Sequence, residues 1–532
     1  MRLNIRERRL KVVAEIRKNA TVGIEPLSKL LEISKSSVHR HREALLHTAQ
    51  HPESCFWETS AGATWLKRLV LAVIYHLGIK QGVGSESLSA FFESIHLNEQ
   101  VGISASPLRR LEQEMRQQII NYETAQSKDC KPKPGQGICV GGDETFFGGS
   151  PILVMIELAS NYILTEVESP DRTYATWSEQ ISQWWTRGEW TCRFMVSDGA
   201  RALIKLALSG LKTVSIPDLF HALRSLAQPL GRTLGRQLAQ LQRQQQKLHE
   251  QLTKTLSGSG REVLEKTLAQ ILDHLQTVAQ DQEIYHKALH QVTQSVHPFN
   301  LNTNESQLVN DVPIALIAPL ETLSTLANTH DIESGRKAID GFKALIPGFT
   351  QGIQAWWQWT HEALELETDD IRTQNWVITT LLPWIYWKQQ SAKTRAPDLK
   401  QGYETAAERA YQTLIDHPDT QDLYQPFWVE WSQEMAHKYQ RTSSAVEGRN
   451  GYLSRLHHAG RGFSPQTLKV VTIIHNFDLK RADGTTAAQR LFGHEFPNLF
   501  DSVVASMGDL PMPRKSSKAQ LSQSIPTLLF PP

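Results

Sequence analysis

The 532-residue chain is 40% apolar and carries a net charge of +1. That length exceeds what one hydrophobic core serves, so about three or four units are expected. The longest apolar segment, Leu69 to Ile79, falls short of the roughly 20 residues a spanning helix needs, and no apolar signal region follows the Arg-rich start, which predicts a cytoplasmic protein with no membrane partner.

Charge is unevenly spread. Residues 1–50 hold eleven Lys and Arg against five Glu, a surplus of +6 that leaves about −5 for the remainder. A basic arm on an otherwise neutral chain is a footprint for phosphate, with a solvated helix as the plainer alternative. Residues 5–19 have the apolar spacing of an amphipathic helix, through Ile5, Leu10, Val12, Val13 and Ile16. The run from Pro26 to Arg42 then has the pattern of a helix-turn-helix: a short helix opened by Pro26, a tight turn, and a second helix capped by Ser34. Leu27, Leu30, Leu31, Ile33 and Val38 supply its small core. Ser36, Ser37, His39 and Arg40, with Arg42 beyond them, are the outward residue types that reach phosphates and base edges. A plain helical hairpin is the alternative.

Residues 51–126 are predicted helical. Residues 64–79 form an apolar helix, from Trp65 through Leu77, ended by the Gly78–Gly84 break, and Glu86–Ile95 with Ser104–Ile120 repeat the helix, turn and capped-helix pattern, either as a second DNA-binding motif or as simple packing. The polar segment Ser127–Gly135 marks a boundary. Cys55, Cys130, Cys139 and Cys192 have no paired spacing, so neither a disulfide framework nor a zinc site is indicated.

From Gly137 the texture changes. Gly137–Gly142 is an apolar run ending in Asp143, and Ile152–Leu158 and Ile163–Val167 complete a predicted meander. A helix follows at Thr173–Arg187, then a strand, Cys192 to Ser197, that ends in Asp198. A helix at Ala200–Ser209 and a short strand at Thr213–Pro217 lead into Asp218-Leu219-Phe220-His221. In this β-β-β-α-β-α-β order the first and fourth strands become neighbours, which brings Asp143 and Asp198 to adjacent strand ends. Glu144 points to the opposite strand face and is not counted with them. Gly141 and Gly142 suit a close approach of DNA backbone or a neighbouring strand, or a β-bulge.

Residues 225–436 read as helix throughout. Leu234, Leu238, Leu241, Leu248, Leu252 and Leu256 line one arm, and Leu264, Leu268, Ile271, Leu275 and Val278 the other, of an antiparallel hairpin joined at Ser257–Gly260. Eight of the fourteen tryptophans fall within 350–431; most are expected in the core, with one or two open to stacking on unpaired bases. Beyond them Ser443 or Ser444 caps a helix whose apolar face is Val446, Leu453 and Leu456. Glu447 lies on another face with Asn450, Gly451 and Ser454, and Arg441, Arg449, Arg455, His457, His458 and Arg461 are expected to surround it with positive charge. A helix at Pro465–Asn476 is apolar enough to pack on the sheet, and residues 511–532 read as a disordered tail.

Phosphodiester chemistry on DNA needs an activated oxygen nucleophile and a stabilised leaving alkoxide. Two divalent metals about 3.5–4 Å apart supply both, and Mg²⁺ prefers carboxylate oxygens. Asp143, Asp198 and Glu447 fit that need. The stretches Gly142–Thr145, Val196–Ala200 and Ser444–Gly451 resemble the DDE transposases of bacterial insertion sequences. The resemblance implies a multidomain α/β and all-α chain: a helix-turn-helix at 1–50, a ribonuclease H-like mixed-sheet core at 137–224 and 437–510, and a large all-helical insertion at 225–436. It further implies that Asp143, Asp198 and Glu447 hold two Mg²⁺ or Mn²⁺ ions, and that Asp218, His221, Arg449 and Asn450 lie near them. The partners implied are double-stranded DNA, both element ends and target, and further copies of the chain assembled on it. Tyr439 and Arg441 stand eight and six residues before Glu447, so the Tyr-x-x-Arg-x-x-x-Glu spacing of one large subgroup is absent. A non-catalytic helix-turn-helix regulator, a decayed transposase, or a nuclease of the same fold that cuts without joining are the other readings.

Overall fold

The computed structural model describes residues 5–48, 56–57, 59–133, 136–185, 190–255, 257–460 and 462–513. Cys55, Arg187, Leu256, Arg461 and residues 514–532 of the expected tail lie outside them. The chain divides into two compact units, one made of residues 1–129, 452–480 and 495–532, the other of 130–451 and 481–494.

In the first unit, α1 (Ile5–Lys18), α2 (Ile24–Leu31) and α3 (Lys35–Thr48) pack on one another around Val12, Ile16, Leu27, Ile33 and Val38. Glu32 ends α2 in the left-handed region at φ 54°, Ser28 Oγ donates to the Ile33 carbonyl at 2.7 Å, and the Ser37 N–H donates to Ser34 Oγ, as a capped start to α3 requires. Leu30, expected in this core, is instead exposed, because Leu27 and Leu31 already occupy the inward face of so short a helix. Next come α4 (Ser60–Val73), which continues as a wider π-helical turn over Ile74–Ile79, α5 (Ser85–Ser94) and α6 (Ala105–Gln126).

The second unit holds the sheet. Strands β1 (Gly137–Phe147), β2 (Ser150–Glu157) and β3 (Tyr162–Glu168) form an antiparallel meander. After α7 (Tyr174–Trp185) come β4 (Thr191–Ser197), α8 (Arg201–Lys205) and β5 (Val214–Pro217). The order across the sheet is β3-β2-β1-β4-β5, with β4 parallel to both β1 and β5. The expected neighbourhood of the first and fourth strands is therefore present. Every residue of β2 from Pro151 to Glu157 is buried, so both sheet faces are covered.

A long helix, α9 (Leu219–Lys254), leaves β5 directly. Its partner α10 (Ser259–Ser295) runs back along it as the expected hairpin, with Leu234, Leu241 and Val278 buried and the other described seam positions only half-buried. Then follow α11 (Asp311–Thr329), α12 (Glu333–Glu367), α13 (Ile371–Trp376), α14 (Leu382–Lys393), α15 (Pro397–Asp416), α16 (Thr420–Leu423) and α17 (Pro426–Lys438). This helical region shares one core with the sheet, in which Cys139, Phe194 and Ile216 join Phe349, Ile353 and Trp356. Gly348 and Gly352 make the contact possible. A Cβ on either would fall 2.5–2.7 Å from Pro217 or Ile216, so α12 lies against β5 at a distance only glycine permits. Seven of the eight tryptophans, all but the half-buried Trp384, are buried here and unavailable for stacking on bases.

The chain closes with α18 (Ser444–Gly460), α19 (Pro465–Phe477), α20 (Ala487–Phe492) and α21 (Leu499–Ser506). The division between units falls within α18, after Gly451. The helix expected at 465–476 packs on α6 of the first unit, through Tyr122 against Phe477, Arg116 with Thr467, and Lys469 with Glu123. Among the described residues no helix is long and apolar enough to cross a membrane.

Candidate active site

The pairing of β1 with β4 ends at Gly142 opposite Ser197, so the next residue on each chain is an acid. Asp143 continues along β1, paired only with Val154 of β2, and Asp198 leaves β4 into the turn at Gly199. Asp143 is half-buried, and Asp198 and Gly199 are exposed. Helix α18 brings the third acid: Val446 is fully buried, and Glu447, next to it, keeps 42% of its side chain exposed.

The charges of the other two acids act on Asp143. Burial, the largest cause, pushes the Asp143 carboxyl from 3.8 to about 7; the Glu144 N–H opposes this, and the charges of Asp198, Glu447 and Glu144 add to it. Asp143 receives two hydrogen bonds, from the Glu144 N–H at 2.8 Å and from Asn450 Nδ2 at 3.0 Å. The Asn450 Oδ1 is buried beside it with no partner among the described residues. Glu447 Oε1 meets His221 Nε2 at 3.0 Å. Glu144 takes the other strand face as expected, accepting from Trp177 Nε1 at 3.3 Å with Arg172 3.9 Å away.

The neighbours are placed by two other carboxylates. Asp218 is buried and gathers four donors: the Phe220 and His221 N–H groups at 2.7 and 3.1 Å, which caps α9, and the Ser443 N–H and hydroxyl. One side chain thereby ties the start of the His221 helix to the start of the Glu447 helix. Glu166 on β3 is fully buried and takes a bidentate pair of bonds from Arg449 at 2.7 and 2.6 Å. Asp218 and Arg449 thus have their charged groups engaged within the protein. Arg441 is engaged too, donating to the Thr293 and Val296 carbonyls. The positive surround expected of Arg441 and Arg449 is accordingly corrected: the Arg449 charge is paired with Glu166, and the Arg441 guanidinium is turned to backbone carbonyls of α10 and the residue after it.

The glycines before Asp143 serve packing. A Cβ on Gly141 would stand 2.7 Å from Leu158 and 3.3 Å from Val446, and one on Gly142 would stand 2.7 Å from Met195. The space is filled by the protein's own side chains, and α18 seats Val446 in it. The one irregularity between β1 and β4 lies earlier, at Ile138/Cys139.

Of the residues expected to meet DNA, Ser36, His39 and Arg40 are exposed on α3. Ser37 is corrected: it is buried, with its hydroxyl 3.5 Å from the His41 ring, because the helical period turns it toward α1 along with Val38 and His41. Arg42 is half-buried and donates to the Val22 carbonyl at 2.9 Å. Burial, then Arg9, Arg40 and Arg8, push the His41 imidazole down to about 4, so it is neutral at physiological pH.

Sequence reasoning missed Glu166, the clamp role of Asp218 and the Ser443 bridge. Glu166 and Arg449 are 283 positions apart and carry no shared spacing; the Asp before Leu-Phe-His was readable as a helix cap and not as a cross-chain clamp.

Among the described residues no three His, Cys, Asp or Glu side chains are gathered into a metal-ligand set. The donor chemistry nevertheless suits a divalent cation: three acids, one of them raised in proton affinity by burial first and then by the charges of the others, beside an unpartnered amide oxygen. A family of unknown function, DUF6399, has a model that matches residues 377–519, a stretch that includes Glu447 but neither Asp143 nor Asp198. No curated protein and no solved structure matches the chain.

Proposed function

We propose that the chain is a DDE-type DNA transposase whose ribonuclease H-like core cuts and joins DNA strands at Asp143, Asp198 and Glu447. The observation that carries the reading is the convergence of these acids: two at the adjoining ends of parallel neighbours in a β3-β2-β1-β4-β5 sheet, and a third on α18 whose charge acts on the first. The three would hold two Mg²⁺ or Mn²⁺ ions, which supply Lewis-acid activation of the attacking oxygen and charge neutralisation at the leaving one.

The chain's own groups prepare that site. Asn450 Nδ2 fixes one Asp143 oxygen, and His221 fixes one Glu447 oxygen. Asp218 holds the helix starts that carry His221 and Glu447 in register, and the Arg449–Glu166 pair anchors α18 to the sheet. Ser36, His39 and Arg40, exposed on the second helix of a two-helix turn, suit contacts to the element ends. The helical region between Leu219 and Lys438 braces the sheet, and copies of the chain assemble on paired DNA ends.

Asp143→Asn, Asp198→Asn and Glu447→Gln should each lower Mg²⁺-dependent cleavage of an end-bearing duplex by roughly 10³-fold or more, about 4 kcal/mol in barrier, with end binding retained. Undiminished cleavage in any one of them sinks the assignment. Joining of cut ends into a target plasmid separates a transposase from a nuclease.

A further inference from the structure

At the opposite end of the sheet, the β2–β3 turn is lined by cations, two of which are short of acceptors. Arg490 donates through Nε and Nη2 to the Ser160 carbonyl at 2.9 and 2.7 Å, and through Nη1 to the Thr485 carbonyl and hydroxyl. Arg481 Nη2 reaches the Ala159 carbonyl at 3.2 Å. His437 Nε2 lies 2.8 Å from that same carbonyl and 3.2 Å from Arg481 Nη1, while its Nδ1 lies 3.4 Å from Lys393 Nζ.

These contacts have one consistent proton assignment. The short contact to Ala159 makes Nε2 the protonated nitrogen, which leaves Nδ1 to accept from Lys393. The Arg481 Nη1 then faces an N–H instead of a lone pair. Arg481 is left with a single carbonyl, shared with His437, and Lys393 with one long hydrogen bond. Among the described residues no carboxylate lies within 4.0 Å of Lys393, Arg481 or Arg490. The two nearby acids are occupied, Glu157 by five donors around the turn and Asp483 by Thr485. The strain shows in the proton affinities. Burial and then Arg481 push Arg490 down to about 10, and burial, Arg481 and Arg441 push the Lys393 ammonium down to about 8 although much of that side chain stays in solvent. His437 is pushed down to about 4 by burial first and then Lys393, so the imidazole remains a neutral spacer between cations.

We propose that Lys393 and Arg481, held apart by the neutral His437 ring and backed by Arg490, form a binding site for one phosphate group. A tetrahedral oxyanion offers the acceptors these donors lack, and Arg481 presents two of its N–H edges while Lys393 closes the site from solvent. The phosphate comes either from a nucleic-acid backbone or from free inorganic phosphate. The site is independent of strand transfer: a chain that never cut DNA would still bind phosphate here.

The test uses the full chain, with Lys393→Gln and Arg481→Gln compared with wild type. Lys393 is partly solvent-exposed and makes one long bond, so its variant should melt in chloride as wild type does, and Arg481→Lys, which keeps the charge, serves if Arg481→Gln folds poorly. One arm titrates inorganic phosphate against chloride at fixed ionic strength and follows the melting temperature. The other measures binding of a duplex of unrelated sequence across a salt series. A phosphate-dependent rise that shrinks about tenfold in apparent affinity in Lys393→Gln, with an unchanged DNA salt slope, assigns the site to free phosphate. A salt slope lower by about 1 in the variants assigns it to the DNA backbone. If neither the phosphate response nor the slope differs from wild type, the site does not exist.

Discussion

Glu157 and Asp143 are both acids of the meander, and the sheet treats them in opposite ways. Around the β2–β3 turn Glu157 is buried and receives the N–H groups of Cys139, Ala159 and Ser160 as well as the Cys139 thiol and the Ser160 hydroxyl. At the other end Asp143 receives two donors and faces two further acids, and its proton affinity rises until it is poised near neutrality. A buried carboxylate with its lone pairs filled holds a turn together; one raised by burial and then by like charge, and short of donors, keeps lone pairs that the protein does not fill. Asp218, with four donors, and Glu166, with its bidentate arginine, belong with Glu157. The contrast separates acids whose lone pairs the protein fills from one that it leaves short of donors.

The largest effect expected from breaking this contrast is at the satisfied end. Glu157→Gln keeps the shape but turns an amide toward the Ser160 donors and removes one of the two acidic charges that act on Arg481 and Arg490. Loss of charge-assisted bonds in a buried site predicts destabilisation of about 3 kcal/mol, measurable as a lower urea midpoint. A variant as stable as wild type would mean that the five donors contribute little, and the two ends of the sheet would no longer differ.

Asp143 should behave in the reverse sense. Its folded proton affinity lies above the unfolded value of 3.8, so its favourable contribution is complete below about pH 4, declines as pH rises toward about 7, and is gone above that. In chelator-treated protein, Asp143→Asn should therefore match wild type at pH 4 and exceed it at pH 8, by roughly 2 kcal/mol once water at the half-buried carboxylate is allowed for. Paired urea titrations at the two pH values read this out. Equal stability at pH 8 would remove the distinction between Asp143 and the structural acids.

How much of this was legible in the sequence follows from which interactions are local. Apolar runs punctuated by Gly-Gly-Ser-Pro and Ser-Asn marked the meander, and the crossover rule placed β4 beside β1, so Asp143 and Asp198 met as their spacing implied. Long periodic leucines gave the α9–α10 hairpin. Long-range pairing was not legible: α19 packs on α6 of the first unit, which draws on three separated stretches of chain, and the helical region shares a core with the sheet. On α3, Ser37 is polar by type yet inward by the helical period, and the period decides where it points. The surround of arginines failed for a related reason. Sequence shows that Arg441 and Arg449 are near Glu447 along the chain, but not that buried carbonyls and Glu166 claim them.

The smallest effect probes the open face beside Glu447. Gly451 lies one turn beyond Glu447 on α18, is exposed, and a Cβ built there meets nothing within 4 Å. Glycine inside a helix costs roughly 0.5–1 kcal/mol relative to alanine, so Gly451→Ala should raise stability by that amount. Gly141 is its opposite, since a methyl there collides with Leu158 and presses on Val446. If the face beside Glu447 receives DNA closely, Gly451→Ala will melt higher yet cleave more slowly, by a few-fold, with the loss growing for Gly451→Val. A variant that is stabilised and cleaves at the wild-type rate would show that substrate does not approach along this face, and would move the approach to the exposed side of Asp198 and Gly199.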